Sequence, residues 1–200
     1  MIETSTIEEK FNHLLKLFSS KRFLKKEGPG NDIPFFICPF SPKDAVEMKR
    51  VQKQLVTKLG TQGVQVLNID LYLISIELLK LRGIFDEIIG REKEFTKDEL
   101  LELLQNTLDP ENELVPYIAD LIKKNEHDIL FISGVGEVYP YIRSHNVLNN
   151  LQKVAKDNPT VMFFPGDYSY SVTMGSSLDL FGKLHDDKYY RATNVFHCEV

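Results

Sequence analysis

The chain reads as an α/β protein. The expected fold has three layers around a mostly parallel sheet of about five strands. It is Rossmann-like or degenerate P-loop-like, with an N-terminal helix and a helical insertion. Three observations carry this reading. The runs "IPFFICPF", "HDILFIS" and "PTVMFFPG" are of strand length and continuously apolar, as strands buried on both faces are. Amphipathic stretches of helical period lie between them. Proline or glycine closes each run, at Pro39, Gly134 and Pro165–Gly166.

Taken in order, residues 5–26 place Ile7, Phe11, Leu14, Leu15, Leu17 and Phe18 on one stripe of a helix, which "KEGPGND" breaks. "IPFFICPF" is the first strand. Ser41, Pro42 and Asp44 then form a capping-box-like start to the helix "PKDAVEMKRVQKQLVTKL", which turns Met48, Val51, Leu55 and Leu59 inward and ends at Gly60. "VQVLNID" opens the second strand, so residues 34–69 predict a β-α-β unit with parallel strands.

Residues 71–124 read as helix almost throughout, with a capping box at Thr96 and Glu99 and a further helix opened by Asp109 and Pro110, carrying an internal Pro116. That is more helix than a crossover needs, and it predicts a helical insertion and a partner-binding surface. "HDILFISGVG" is the next strand and "SHNVLNNLQKVAKD" the next helix. "PTVMFFPG" is another buried strand, "SSLDLFGKLHD" a short helix capped by Ser176 or Ser177, and "KYYRATNVF" an edge strand.

The 200 residues suit a single domain over 1–200, and 42% hydrophobic content with thirteen Phe supplies an ordinary core. No apolar run reaches the ~20 residues of a membrane-spanning helix. The acidic, amphipathic "MIETSTIEEKFNHLL" is unlike a signal peptide, so a cytoplasmic location is the expectation. Cys38, inside an apolar run, reads as a buried hydrophobe, and Cys198 as an exposed thiol near the end. A net charge of −5 disfavours non-specific duplex binding, leaving "KRFLKK", Lys21–Lys26, as the one compact basic cluster for a DNA-binding accessory module.

Ligands of a parallel sheet gather at the carboxyl ends of its strands. The candidate loops are therefore Pro39–Lys43, Asn68–Leu71, Gly134–Asn146 and Pro165–Tyr170. None carries a complete motif. "CPFSPKDAV" has no glycine, and its two prolines remove backbone donors, so a Walker-type phosphate loop is excluded. Gly134 and Gly136 begin a dinucleotide fingerprint that Tyr139 and Pro140 spoil. The five histidines show no metal-ligand spacing, and His185 beside Asp186 and Asp187 reads as a solvated turn. No nucleophile elbow is present, and Ser133 has no evident base. No catalytic residue, metal site or cofactor is expected.

What remains is the polar set of the loop "GVGEVYPYIRSHN": Glu137, Arg143, Ser144, His145 and Asn146, with Asp167 from the following strand end. It has two readings. In one, Glu137 and Arg143 form an ion pair that holds the loop while Ser144 caps the next helix. In the other, Glu137, Arg143, His145, Asn146 and Asp167 make a functional site that recognises a partner, senses a ligand or a nucleotide, or hydrolyses its ligand as an enzyme.

The segments "FFICPFSPKD", "LFISGVGEVYPYIRSHNVLNNLQ", "PTVMFFPGDY" and "GSSLDLFGKLHDDKYYRATN", in this order and spacing, resemble the BrxB family of bacteriophage exclusion (BREX) loci, from about residue 7 to 195. The resemblance implies a component of a bacterial phage-defence system whose loci also encode a large ATPase (BrxC), an adenine-specific DNA methyltransferase (PglX) and a phosphatase-superfamily protein (PglZ). It implies a small non-enzymatic member that joins PglZ to the rest, and it carries over no catalytic residues. The residues agree in one respect: the frame is that of a nucleotide-binding α/β protein without its phosphate-binding parts, which suits a rigid docking surface. A leucine-rich helical insertion also suits a homodimer face.

Overall fold

The computed structural model describes residues 6–27, 34–171, 175–187 and 192–199. The elements, in chain order, are α1 (Ile7–Ser19), α2 (Lys21–Leu24), β1 (Phe35–Phe40), α3 (Ala45–Thr61), β2 (Val66–Asp70), α4 (Leu71–Leu81), α5 (Phe85–Arg91), α6 (Lys97–Thr107) and α7 (Val115–Lys124). They continue with β3 (Ile129–Ser133), α8 (Ser144–Val154), β4 (Thr160–Ser171), β5 (Gly175–Leu180), β6 (Leu184–Asp187) and β7 (Thr193–Asn194).

The sheet order is β2-β3-β4-β1-β7 with all neighbours parallel, and a β5–β6 hairpin is added antiparallel to the far end of β4. The period of two in each central strand divides its side chains between two cores. Phe35, Ile37, Leu130, Ile132, Met162 and Phe164 face a core roofed by α4, α5, α7 and α8. Phe36, Cys38, Ile129, Phe131, Val161 and Phe163 face one roofed by α1, α2 and α3. Burial on both sides is why these strands read as unbroken apolar runs. Met48, Val51, Leu55 and Leu59 turn inward from α3 as the spacing predicts.

Several local expectations are corrected. The stretch 5–26 is two helices, because extended Ser20 stops α1 and its hydroxyl accepts from Phe23 N to cap α2. Ser41 makes no side-chain cap, and α3 starts through a 3-10 turn at Pro42–Asp44. Thr96 and Glu99 do close a capping box on α6. Asp109 caps a π-helical turn, Pro110–Leu114, which delivers the chain into α7 with Pro116 in its first turn, where no intrahelical bond is lost. The helices of 71–124 also cover the sheet: Leu71, Ile74, Leu78, Leu108, Leu114 and Ile118 are all core residues.

The largest departure follows Pro165–Gly166. These residues do not end the strand; they sit at a bulge opposite Phe40, where β4 leaves β1 and begins to pair with β5. Proline is tolerated at a bulge, and Gly166 is required because a Cβ there would collide with the Asp179 carbonyl oxygen. "SSLDLFGKLHD" is accordingly not a helix but the β5–β6 hairpin. Leu178 and Leu180 alternate inward, and Phe181 and Gly182 turn the chain at positive φ. Of "KYYRATNVF", residues 188–191 lie outside the described residues, and Thr193–Asn194 form the edge strand β7 beside β1.

Among the described residues no helix is long and apolar enough to cross a membrane. Cys38 is fully buried, and burial drives its thiol well above the usual range; burial pushes Cys198 up to about 11, offset in part by Arg22. Phe131 packs against Phe18 and Phe163 at ring-centroid distances of 5.4 and 5.1 Å. Phe131→Ala should therefore cost about 3–5 kcal/mol in urea unfolding. A thiol reagent at mildly alkaline pH should modify Cys198 slowly and Cys38 only once the protein unfolds.

Candidate functional site

Parallel pairing brings all four candidate loops to the carboxyl edge of the sheet, and each contributes to one open cleft of about 240 Å³. Phe40 and Pro42 come from the end of β1, Asp70 from β2, Ser133–Glu137 from β3 and Pro165 from β4. Ala45, Met48, Lys49 and Gln52 of α3 form one wall, and Phe181 of the hairpin turn closes another. The cleft lies where the chain leaves β1 for the α1–α3 face but leaves β3 for the opposite face, with β4 between them. This is the topological switch point at which open α/β sheets bind ligands.

Asp70 organises the polar end. Its Oδ1 accepts from Tyr72 N at 3.0 Å and Leu73 N at 3.3 Å, capping α4, while Oδ2 lies 3.9 Å from Lys49 Nζ. Lys49 Nζ also donates to Glu137 Oε1 at 3.2 Å. One ammonium is thus shared by two carboxylates. Gln52 Nε2 donates to Asn68 Oδ1 at 2.6 Å beneath them. Gly134 makes this approach possible: at φ +77°, a Cβ would sit 2.6 Å from Asp70 Oδ1 and 3.0 Å from Leu71 N. Gly136 similarly leaves room for Phe181 and Pro165, whose ring carbons would each lie 3.0 Å from a Cβ. The loop continues through a cis Tyr139–Pro140 bond to Tyr141, whose phenol is pushed up to about 12 by burial, with the Tyr72 phenol and the Glu137 carboxylate adding repulsion.

Of the residues singled out from sequence, Glu137 reaches the cleft. It pairs with Lys49 and not with Arg143, so the expected loop-holding ion pair is replaced by one to α3. Arg143 is exposed at the N-cap of α8 and lines a separate shallow pocket with Tyr139, Lys183 and Leu184. Ser144 does not cap α8: it is a buried first-turn residue, next to buried His145. Asn146 is half-buried and its carbonyl accepts from Asn150 Nδ2. Asp167 is exposed on β4, opposite Asp179 of β5. In the basic cluster, Arg22 pairs with Glu199 and Lys26 donates to the Lys156 carbonyl. Sequence reasoning missed Lys49 because the helical period puts it beside, not on, the inward stripe of α3. Asp70 was not singled out either, although an aspartate directly before the apolar run "LYLISI" is an N-cap pattern that could have found it.

The profile of the family described as BREX protein BrxB matches residues 67–195, from the start of β2 past β7. The chain belongs to the BrxB family. BREX protein BrxB of Bacillus cereus (strain H3081.97) is 35% identical over 190 residues, covering 93% of this chain and 95% of that protein. BREX protein BrxB of Escherichia coli O9:H4 (strain HS) is 26% identical over 186 residues, covering 93% and 90%. No solved structure matches. As a BrxB-family protein the chain is a BREX component, and the cleft belongs to a member of that system.

Gly134→Ala should destabilise the protein by roughly 1–3 kcal/mol, since it both strains a left-handed position and drives a methyl into the α4 cap. Urea unfolding measures this, and Gly63→Ala, with positive φ but open space around it, should cost less.

Proposed function

We propose that this protein is a non-catalytic adaptor of a BREX phage-defence system that binds the PglZ-type protein and links it to the other BREX components. Family membership supplies the system. The surface of α4 supplies the observation that carries the adaptor reading. A helix apolar on all sides is ordinarily buried, yet α4, "LYLISIELLKL", leaves Tyr72, Leu73 and Leu81 exposed, the two leucines by more than 60%. The charged residues of that face are engaged locally. Lys80 Nζ lies 5.1 Å over the Phe85 ring, and burial raises the Tyr117 phenol with the Glu77 carboxylate adding to the shift. Beside the exposed Glu77 and Lys80, α4 presents Leu73 and Leu81 outward, and exposed Ile89 of α5 adds to them; exposed large apolar side chains grouped in this way mark protein interfaces.

The reading is tested by co-purifying the tagged protein with its co-expressed PglZ-type partner. Wild type should retain the partner. Leu73→Glu/Leu81→Glu should weaken retention tenfold or more while leaving the unfolding midpoint nearly unchanged, because both side chains are solvent-facing. Arg143→Ala, at the start of α8 and outside this group of side chains, should retain the partner. No retention by wild type overturns the adaptor reading.

A further inference from the structure

We propose that the cleft at the carboxyl ends of β1, β3 and β4 is a binding site for a nucleobase, taken up as a nucleoside rather than as a phosphorylated nucleotide. The proposal is independent of the adaptor reading and rests on the shape and chemistry of the cleft itself.

Size comes first. At about 240 Å³ the cleft falls below the ~300–1,000 Å³ of sites for drug-sized ligands, so it suits one base with part of its sugar and not a dinucleotide. Its walls are apolar, from Phe40, Met48, Phe163, Pro165 and Phe181, and match the faces of a flat ring. Phe181 is held at φ +58°, a left-handed conformation that L-residues with a side chain rarely adopt. That backbone sets its ring against Gly136 and edge-on to Tyr139, 6.4 Å between centroids, so that it closes the cleft.

The polar end selects the ligand's edge. Lys49 offers a donor, and Glu137, 3.2 Å from it, offers an acceptor. A ligand edge bearing an acceptor beside a donor is complementary to both, and every nucleobase has such an edge. The same end opposes phosphate. Two carboxylates outnumber one ammonium, Asp70 already occupies the first-turn amides of α4, and Pro39 at the end of β1 and Pro42 in the turn after it each remove a backbone donor. The phosphates of a nucleotide therefore add nothing to binding.

The experiment is calorimetric titration of the full-length protein with adenosine, guanosine, cytidine and uridine, with the matching triphosphate of any that binds, and with a short single-stranded oligonucleotide. Lys49→Met and Phe181→Ala run in parallel; both side chains are part-exposed, and unfolding midpoints confirm that each variant folds. Saturable binding of at least one nucleoside is expected, weakened tenfold or more by each variant, with the triphosphate no tighter than the nucleoside. Tighter binding of the oligonucleotide, equally lost in both variants, also supports the site and assigns the base to a nucleic-acid strand. The proposal is overturned by no saturable binding of any nucleoside or of the oligonucleotide at millimolar concentration. Binding that both variants leave intact, or a triphosphate at least tenfold tighter than its nucleoside, overturns it equally.

Discussion

The approach of the β3 loop to the start of α4 sets the geometry of the whole carboxyl edge. Gly134 has no side chain and a left-handed φ, so the loop backbone lies directly over the Asp70 carboxylate. Asp70 is then fixed from two sides, by the α4 amides it caps and by the loop above it. Lys49 from α3 is drawn to this carboxylate and to Glu137, which ties the α1–α3 layer to the loop that leads into the opposite layer. A missing methyl group thereby connects three elements far apart in sequence. The Lys49–Glu137 pair is half-exposed and contributes little stability, and the Lys49–Asp70 contact is long at 3.9 Å; their role is to place the groups.

The central strands and the main helices were legible because their patterns follow from burial: a strand covered on both faces has no polar position to offer, and Thr96 with Glu99 satisfies a helix start from local sequence alone. The misreadings share a different cause. Pro165–Gly166 carries a stop signal by composition, but the same residues also serve a bulge, and only the neighbouring strand decides between the two. Leu180 and Leu184 stand four apart and Leu178 and Phe181 three apart, as on a helix, yet Leu178 and Leu180 also fit the alternation of a hairpin, and the turn at Phe181–Gly182 settles it through backbone conformations that sequence does not display.

The candidate site was legible as a place and not as a set of residues. The loops follow from strand polarity, so Gly134–Asn146 was correctly placed at the carboxyl edge of the sheet. Within it, polarity of residue type was a poor guide to position. His145 and Ser144 are polar yet buried in the first turn of α8, while Lys49, on a different element, supplies the cleft's cation. Distance along the chain hides the pairing: the Lys49–Glu137 bond spans 88 residues.

Strand β4 gives the cleft an asymmetry of support. Its first half is held in the middle of the sheet between β1 and β3, whereas its second half pairs with β5, which in turn carries β6 and the turn bearing Phe181. Twelve extended residues reach about 40 Å, so a single strand is both a middle plank of the sheet and the mooring of the hairpin. Tyr168, Leu178 and Leu180 dip into the same core as α4 and α8, so the hairpin wall of the cleft is keyed into the body of the protein. Any widening of the opening on that side must repack this core, and anything seated there is felt at the central strand of the sheet.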